Sequence, residues 1–167
     1  ANLWRVTRVE GGDGTPLMMK VPRIKGGDDP ATIVGFEVEQ MIMPTLSGPH
    51  VPKFVAKGDF TRQPYIVMEH VPGPSLRARF DAAPLPLDEV VQVGIKVATA
   101  LHDLHRQHVV HLDVKPSNIM FRRNADGSQA EAVLVDFGLS RHDLLPDLLD
   151  EEFELPMGTG PYMSPEQ

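Results

Sequence analysis

Residues 111–121 read HLDVKPSNIMF and set three chemically useful groups close together: Asp113, Lys115 two positions on and Asn118 five positions on. A carboxylate beside a substrate hydroxyl can orient it and accept its proton. A nearby lysine can neutralise a phosphoryl oxygen, and an asparagine carbonyl is a hard oxygen donor suited to Mg²⁺. Phosphoryl transfer uses this set, because its catalysis is mostly positioning and charge neutralisation. The same residues could also form a polar loop with capping roles, so their surroundings must decide.

A second carboxylate stands in VLVDFGLS, where Asp136 follows an apolar run eighteen residues after Asn118. Alone, such an Asp reads equally well as a strand-end turn. The polar stretch RRNADGSQ between the two suits a hairpin. That hairpin would bring Asp136 beside Asn118, so that two oxygen donors share one cation.

The elements that must position these groups are legible as patterns. LWRVTRV and PLMMKVPRI read as two strands joined by the Gly-rich turn EGGDGT. DDPATIVGFEVEQMIMPTL reads as a helix capped by Asp28 or Asp29, with Pro30 in its first turn and Ile33, Phe36, Met41 and Leu46 as an imperfect apolar face. KFVAKGDF and PYIVMEHV read as two further strands. VPGPS then reads as a linker, since two prolines and a glycine in five residues cannot continue a strand. LDEVVQVGIKVATALHDLHRQH reads as a long helix, with Asp88 near its start and Val90, Val93, Val97, Ala100, Leu101 and Leu104 at helical spacing. AVLVDFG reads as a strand, and 139–160 as a long stretch with little periodicity. Loops of that length in a compact domain are often functional.

The 167 residues suffice for one domain with a sizeable core. A formal net charge of −7 argues against general phosphate-backbone binding, so no nucleic-acid partner is expected. With no cysteine, neither a disulfide framework nor a Cys-ligated metal can form. ANLWRVTRVE lacks the pattern of a signal peptide, and no apolar run approaches the length of a membrane span, so a soluble, cytoplasmic segment is expected. His102, His105, His108 and His111 recur every third residue. That spacing drifts around a helix, and His111 falls beyond it, so a metal site is not read there.

Together these motifs resemble the eukaryotic-type protein kinases, most closely the bacterial serine/threonine branch. HLDVKPSN is similar to the catalytic loop, DFG to the metal-binding motif, GTGPYMSPEQ to the substrate-docking loop, LMMK to the lysine-bearing strand and YIVMEHVPGPSL to the hinge. They occur in family order over essentially the whole chain. The resemblance implies an α+β, bilobal kinase-like fold, with an antiparallel small lobe and hinge over 1–71 and part of a helical large lobe over 72–167.

The activity implied is transfer of the ATP γ-phosphoryl group to Ser or Thr hydroxyls of a protein, with Mg²⁺. Lys20 would hold the α- and β-phosphates, paired with Glu39. Glu39 is preferred to Glu37 because it lies nine residues before Gly48, in a GPH that matches the family's His-Pro-Asn site. Asp113 would be the base, Lys115 would contact the γ-phosphate, and Asn118 with Asp136 would hold the metal. Met68 would be the gatekeeper, and Glu69 and Val71 would offer backbone groups to adenine. Leu3, Met18 and Met120 would sandwich the ring. His111 and Phe137 would join the regulatory spine, and Thr159 would steady the catalytic loop. An inactive nucleotide-binding pseudokinase is the alternative from another class, and a small-molecule kinase fits the docking segment less well.

Three departures matter. Kinases switched by loop phosphorylation mostly carry Arg where this chain has Leu112. Between Leu139 and Gly158 the only hydroxyl is Ser140, while Asp143, Asp147, Asp150, Glu151, Glu152 and Glu154 make the loop acidic. Activation-loop phosphorylation is therefore not expected to be required. Met18 stands where the family usually has Ala. Finally, the family's Gly-rich loop is expected upstream of Ala1, and its later helices, with a partner for Glu166, downstream of Gln167. A fragment so bounded should expose apolar surface and be weak or inactive alone.

Overall fold

The computed structural model describes residues 1–9, 11, 14–23, 30–82, 84–123, 129–153 and 157–167. Strands β1 (Asn2–Val6), β2 (Leu17–Val21), β3 (Phe54–Gly58) and β4 (Tyr65–Glu69) form an antiparallel sheet in the order β1-β2-β4-β3. Its register sets Leu3 opposite Lys20 and Met18 opposite Met68. Along β4 the burial alternates, with Ile66 and Met68 inward, as a strand with one covered face requires. β1 ends at Val6 rather than Val9. In the following turn Gly11 and Gly14 take positive φ, and Glu10, Gly12 and Asp13 lie outside the described residues.

Helix α1 spans Pro30–Ile42; its expected caps, Asp28 and Asp29, lie outside the described residues. It stops four residues before Leu46, in a 3₁₀ turn over Met43–Thr45, because Pro44 has no N–H to continue the ladder. Its buried face also differs from the expected one. Ile33 and Met41 are only half-buried, while Phe36, Val38 and Ile42 are buried together with Glu39 and Gln40. Apolar periodicity cannot register those two polar residues, which are buried because they have partners. Gln40 Nε2 donates to the carbonyls of Gly58 and Tyr65 at 2.6 and 3.1 Å, tying α1 to the end of the β3–β4 hairpin.

Helix α2 covers Leu87–His105 and ends three residues short of its expected boundary, where His108 adopts φ 63° and breaks the helix. Ala100 and Leu104 are buried, and Val93, Val97 and Leu101 pack beside the core. Val90 departs from the expectation: it is 48% exposed, as are Leu87, Val91 and Ile95 to similar or greater extents. Among the described residues, apolar cover reaches α2 only from Val93 onward, on the face that Val97, Ala100, Leu101 and Leu104 continue. No helix there is long and apolar enough to cross a membrane.

Strands β5 (Val109–Val110), β6 (Ile119–Arg123), β7 (Gln129–Leu134) and β8 (Arg141–His142) make two antiparallel pairs, β6 with β7 and β5 with β8. The expected 132–138 strand stops at Leu134. The Val135 N–H still reaches the Asn118 carbonyl at 3.0 Å, but Asp136 has φ 69°, which a strand cannot contain. Much of the RRNADGSQ turn, residues 124–128, lies outside the described residues. The stretch after Gly138 is more ordered than its sequence suggests. It contains β8, a short helix α3 (Leu148–Glu152) and a 3₁₀ turn over Gly160–Tyr162; Glu154 lies outside the described residues.

One apolar cluster joins the two halves, from Phe36, Ile42 and Ile66 to Leu104, Phe121, Leu134 and Phe137. His50 stitches the same junction. Its Nδ1 lies 2.9 Å from the Ala132 carbonyl and its Nε2 3.3 Å from Asp103.

The segment expected as a plain linker also pairs with β6. The carbonyls of Pro72 and Pro74 accept from Arg123 and Phe121, a role that needs no N–H from proline. Gly73 has φ 145°, and a Cβ there would collide with the Phe121 carbonyl oxygen. Gly73→Ala is therefore expected to cost about 2–4 kcal/mol. The urea midpoint should fall at an unchanged slope.

Candidate active site

Between the sheet and the β6–β7 hairpin lies a cavity of ≈ 670 Å³. Leu3, Met18, Met68, Val71 and Met120 line it on one side, and Lys20, Glu39, Asp113, Asn118 and Asp136 on the other. Apolar walls with a few convergent polar groups are what a small-molecule site requires. Leu3 stands at the rim, 62% exposed, whereas Met68 and Val71 are buried.

Strand β2 and helix α1 bring Lys20 to Glu39, with Nζ 2.5 Å from Oε2; the same ammonium lies 2.8 Å from Asp136 Oδ1. Burial alone would lower the Lys20 pKa, but the two carboxylates outweigh it and hold it above its ordinary value. Asp136 feels burial in the opposite sense. Lys20, with Lys115 behind it, overcomes that and keeps its pKa low. Glu39, almost wholly buried, is pushed up by desolvation and by Asp136, with Lys20 only partly offsetting them. One ammonium thus serves two carboxylates.

The loop from His111 to Asn118 holds the second cluster. Asp113 is buried, and Thr159 Oγ1 donates to its Oδ1 at 2.6 Å. Lys115 Nζ lies 2.6 Å from Oδ2, and Asn118 Nδ2 donates to the same oxygen at 3.0 Å. Lys115 also donates to Thr159 Oγ1 at 2.8 Å, which closes a triangle between the loop and the GTGPYMSPEQ segment. Pro116 starts a 3₁₀ turn over Pro116–Asn118 that delivers Asn118 into the cavity.

His111 is buried and its pKa is lowered by desolvation, so the ring is neutral. Nε2 lies 3.1 Å from the Val135 carbonyl, and Nδ1 accepts from the Asp113 N–H at 3.3 Å, which assigns the proton to Nε2. The Phe137 ring packs 5.2 Å from it. Leu112 takes φ 58°, uncommon for a branched residue. Its carbonyl accepts from Gln167 Nε2 at 3.0 Å.

The donor set suits Mg²⁺. Asn118 turns its N–H groups on Asp113, and its carbonyl oxygen, which accepts only a long 3.4 Å bond from Ser117 Oγ, keeps a lone pair as a hard donor in the cavity that Asp136 also lines. Three carboxylates, Glu39, Asp113 and Asp136, are gathered by two ammonium groups, Lys20 and Lys115. Among the described residues no group of three or more His, Cys, Asp and Glu could hold a metal ion. An amide and a carboxylate are what a cation shared with substrate phosphates takes from a protein.

The residues expected to meet ATP, the metal or the acceptor hydroxyl lie at this cavity or, like Thr159 and Lys115, are bonded to Asp113, while His111 and Phe137 pack together behind it. The sequence reading missed Arg122, which forms a close ion pair with Glu69 and fixes that side chain at the cavity edge. The Lys53 N–H adds a bond to the same carboxylate. Burial would raise the Glu69 pKa, but Arg122 and Lys53 hold it below the usual range. Period-two spacing from Met120 places Arg122 on the cavity face of β6, a signal that was available. Gly35 and Gly138 were also missed: a Cβ on Gly35 would meet the Gly138 carbonyl oxygen at 2.9 Å, so glycine lets α1 lie flush against the backbone beside Asp136.

A bilobal arrangement with a lysine–glutamate pair, a catalytic-type Asp-Lys-Asn loop and a strand-end Asp on one cavity defines a class of protein. The protein kinase domain family matches residues 18–167, and the chain belongs to that family. It is 30% identical over 152 residues to a probable serine/threonine-protein kinase PknB of Lactococcus lactis, covering 90% of this chain and 23% of that protein. It is 31% identical over 153 residues to serine/threonine-protein kinase PknL of Mycobacterium tuberculosis, covering 91% of this chain and 37% of that protein. Against serine/threonine-protein kinase pkn2 of Myxococcus xanthus it is 31% identical over 134 residues, 79% of this chain and 16% of that protein. The chain thus spans well under half the length of each of these relatives.

Proposed function

We propose that this chain carries the catalytic centre of a Mg²⁺-dependent serine/threonine protein kinase, divided into a small lobe and hinge over 1–71 and large-lobe elements over 72–167. The observation that carries this reading is the convergence of Lys20–Glu39–Asp136 and Thr159–Asp113–Lys115–Asn118 on one cavity. Adenine would lie among Leu3, Met18 and Met120, beneath Met68 and against the backbone of Glu69 and Val71. Lys20 would bind the α- and β-phosphates. Asp113 would orient the acceptor hydroxyl and take its proton as the new O–P bond forms. The bond to the β–γ bridging oxygen breaks and ADP leaves. Lys115 would neutralise the charge on the transferring oxygens. Asn118 and Asp136 would hold Mg²⁺, which supplies charge neutralisation at the phosphates.

The expected partner is a cytoplasmic protein bearing an exposed Ser or Thr. In the intact protein with Mg²⁺ and γ-labelled ATP, acid hydrolysis of the labelled acceptor should yield phosphoserine or phosphothreonine, and EDTA should abolish labelling. Phosphotyrosine alone would contradict the acceptor class.

Activation-loop phosphorylation is not required in this reading. Leu112 cannot pair with a phosphate, and Ser140 is buried with its hydroxyl donating to the His111 carbonyl at 3.1 Å.

Met18 faces Met68 across the β2–β4 register and shares the cavity with Met120. A long thioether there narrows the purine slot. Met18→Ala is expected to lower the apparent KM for ATP several-fold at similar kcat; steady-state kinetics across an ATP series measures this.

A further inference from the structure

Helix α3 lies in the loop between Asp136 and Thr159 and packs against α1, the helix that carries Glu39. Leu149 is buried in the main core, and Leu148 and Phe153 pack beside it. The acidic residues of the same turn, Asp150, Glu151 and Glu152, are exposed. Asp147 caps α3 by accepting from the Asp150 N–H at 3.2 Å. The loop is also pinned ahead of α3. The β5–β8 pair holds Arg141 and His142, and Gly35 and Gly138 bring α1 and the loop backbone into contact. The loop therefore reaches α1 through apolar burial on one side and leaves its charges in water on the other.

We propose that α3 is a built-in latch, in which Leu149 acts as a positioning residue that holds α1 inward so that Lys20, Glu39 and Asp136 assemble without a phosphate on the loop. This rests on the kinase reading above. Leu149 touches no reacting atom; it acts through α1. Displacing α1 would strip the cover from Leu149 and separate Glu39 from Lys20 together, so the two contacts support each other. Leu112, where a phosphate-binding cation would be needed, fits a loop held this way.

The test uses the intact, phosphatase-treated protein with Leu149→Ala, Leu149→Met, Gly35→Ala and Leu144→Ala. Leu144 is 73% exposed, lies outside α3 and serves as the control. Leu149→Ala should lower kcat about tenfold or more, with a smaller change in the KM for ATP. Amide hydrogen exchange should accelerate in α1 while β6 and β7 keep their protection. Leu149→Met should restore both readouts, and Leu144→Ala should leave them at wild-type values. Gly35→Ala should reproduce the α1 exchange signature by pushing α1 off Gly138, and it serves if Leu149→Ala loses protection everywhere. Unchanged α1 exchange in both variants, a Leu149→Ala kcat equal to or above wild type, or an obligatory phosphate between 139 and 158 would overturn the latch. Absence of transfer by the wild-type protein would instead count against the kinase reading, and the exchange data would still decide the latch.

Discussion

Asp113→Asn should reduce kcat by roughly 10²–10⁴-fold, the range for loss of a positioned general base, with little loss of stability. The geometry supports both halves of this expectation. The amide introduced by the substitution could keep its oxygen at the Oδ2 position, where Lys115 and Asn118 donate, and place its nitrogen at the Oδ1 position. Thr159 now donates there, but its hydroxyl can turn and accept instead. The half-buried Thr159 can then turn its own O–H toward water, and the second N–H of the new amide can face the cavity, so the fold should melt within a few degrees of wild type. What disappears is an oxygen able to take the acceptor proton. ATP affinity should change little, because Asp113 lies apart from the Leu3–Met18–Met120 wall. Steady-state kinetics beside a thermal melt would check the split; a variant that lost activity only in proportion to its folded fraction would remove Asp113 from the chemistry.

Lys20→Met carries the second large effect, and it strikes stability as well as activity. The ammonium lies between Glu39 and Asp136, with side-chain exposures of 14% for Lys20 and 2% for Glu39. Removing it leaves Glu39 desolvated and unpaired, a break that costs about 3–5 kcal/mol. The same change removes the cation expected to meet the α- and β-phosphates, so ATP affinity and turnover should both fall. Adding Glu39→Leu separates the two roles. The double variant should recover much of the lost stability, because no buried charge is left alone, while activity stays lost. A melt and an ATP titration of the three variants complete the cycle. If Lys20→Met melted like wild type, the pair would not be holding α1.

How much of this was legible in the sequence depends on distance along the chain. Asp113, Lys115 and Asn118 fall within six residues, and Pro116 sets the turn that gathers them, so their spacing alone raised phosphoryl-transfer chemistry. The β6–β7 hairpin was readable from two apolar runs around a polar turn, and it does bring Asn118 to Asp136. Long-range partners were another matter. Thr159 meets Asp113 across 46 residues, and only the family resemblance pointed to it. Arg122 and Glu69, 53 residues apart, went unread because each looks like an ordinary surface charge on its own strand. On α1 the apolar pattern pointed at Met41, while burial selected Glu39 and Gln40 through hydrogen bonds that hydropathy does not record. On α2 the periodicity placed Val90 on the apolar stripe, yet that residue is half exposed, because a stripe shows what is apolar and not what covers it. Helix α3 escaped notice because five residues are too few to display a period.

The most direct measurement pairs ATP binding with phosphoryl transfer in the intact, phosphatase-treated protein. Mg²⁺ and γ-labelled ATP are added with a generic protein acceptor, beside Asp113→Asn. The account predicts saturable ATP binding in both proteins and label on Ser or Thr of the acceptor with the wild type alone. ATP binding with no transfer by either protein would contradict it and leave a nucleotide-binding module without catalysis.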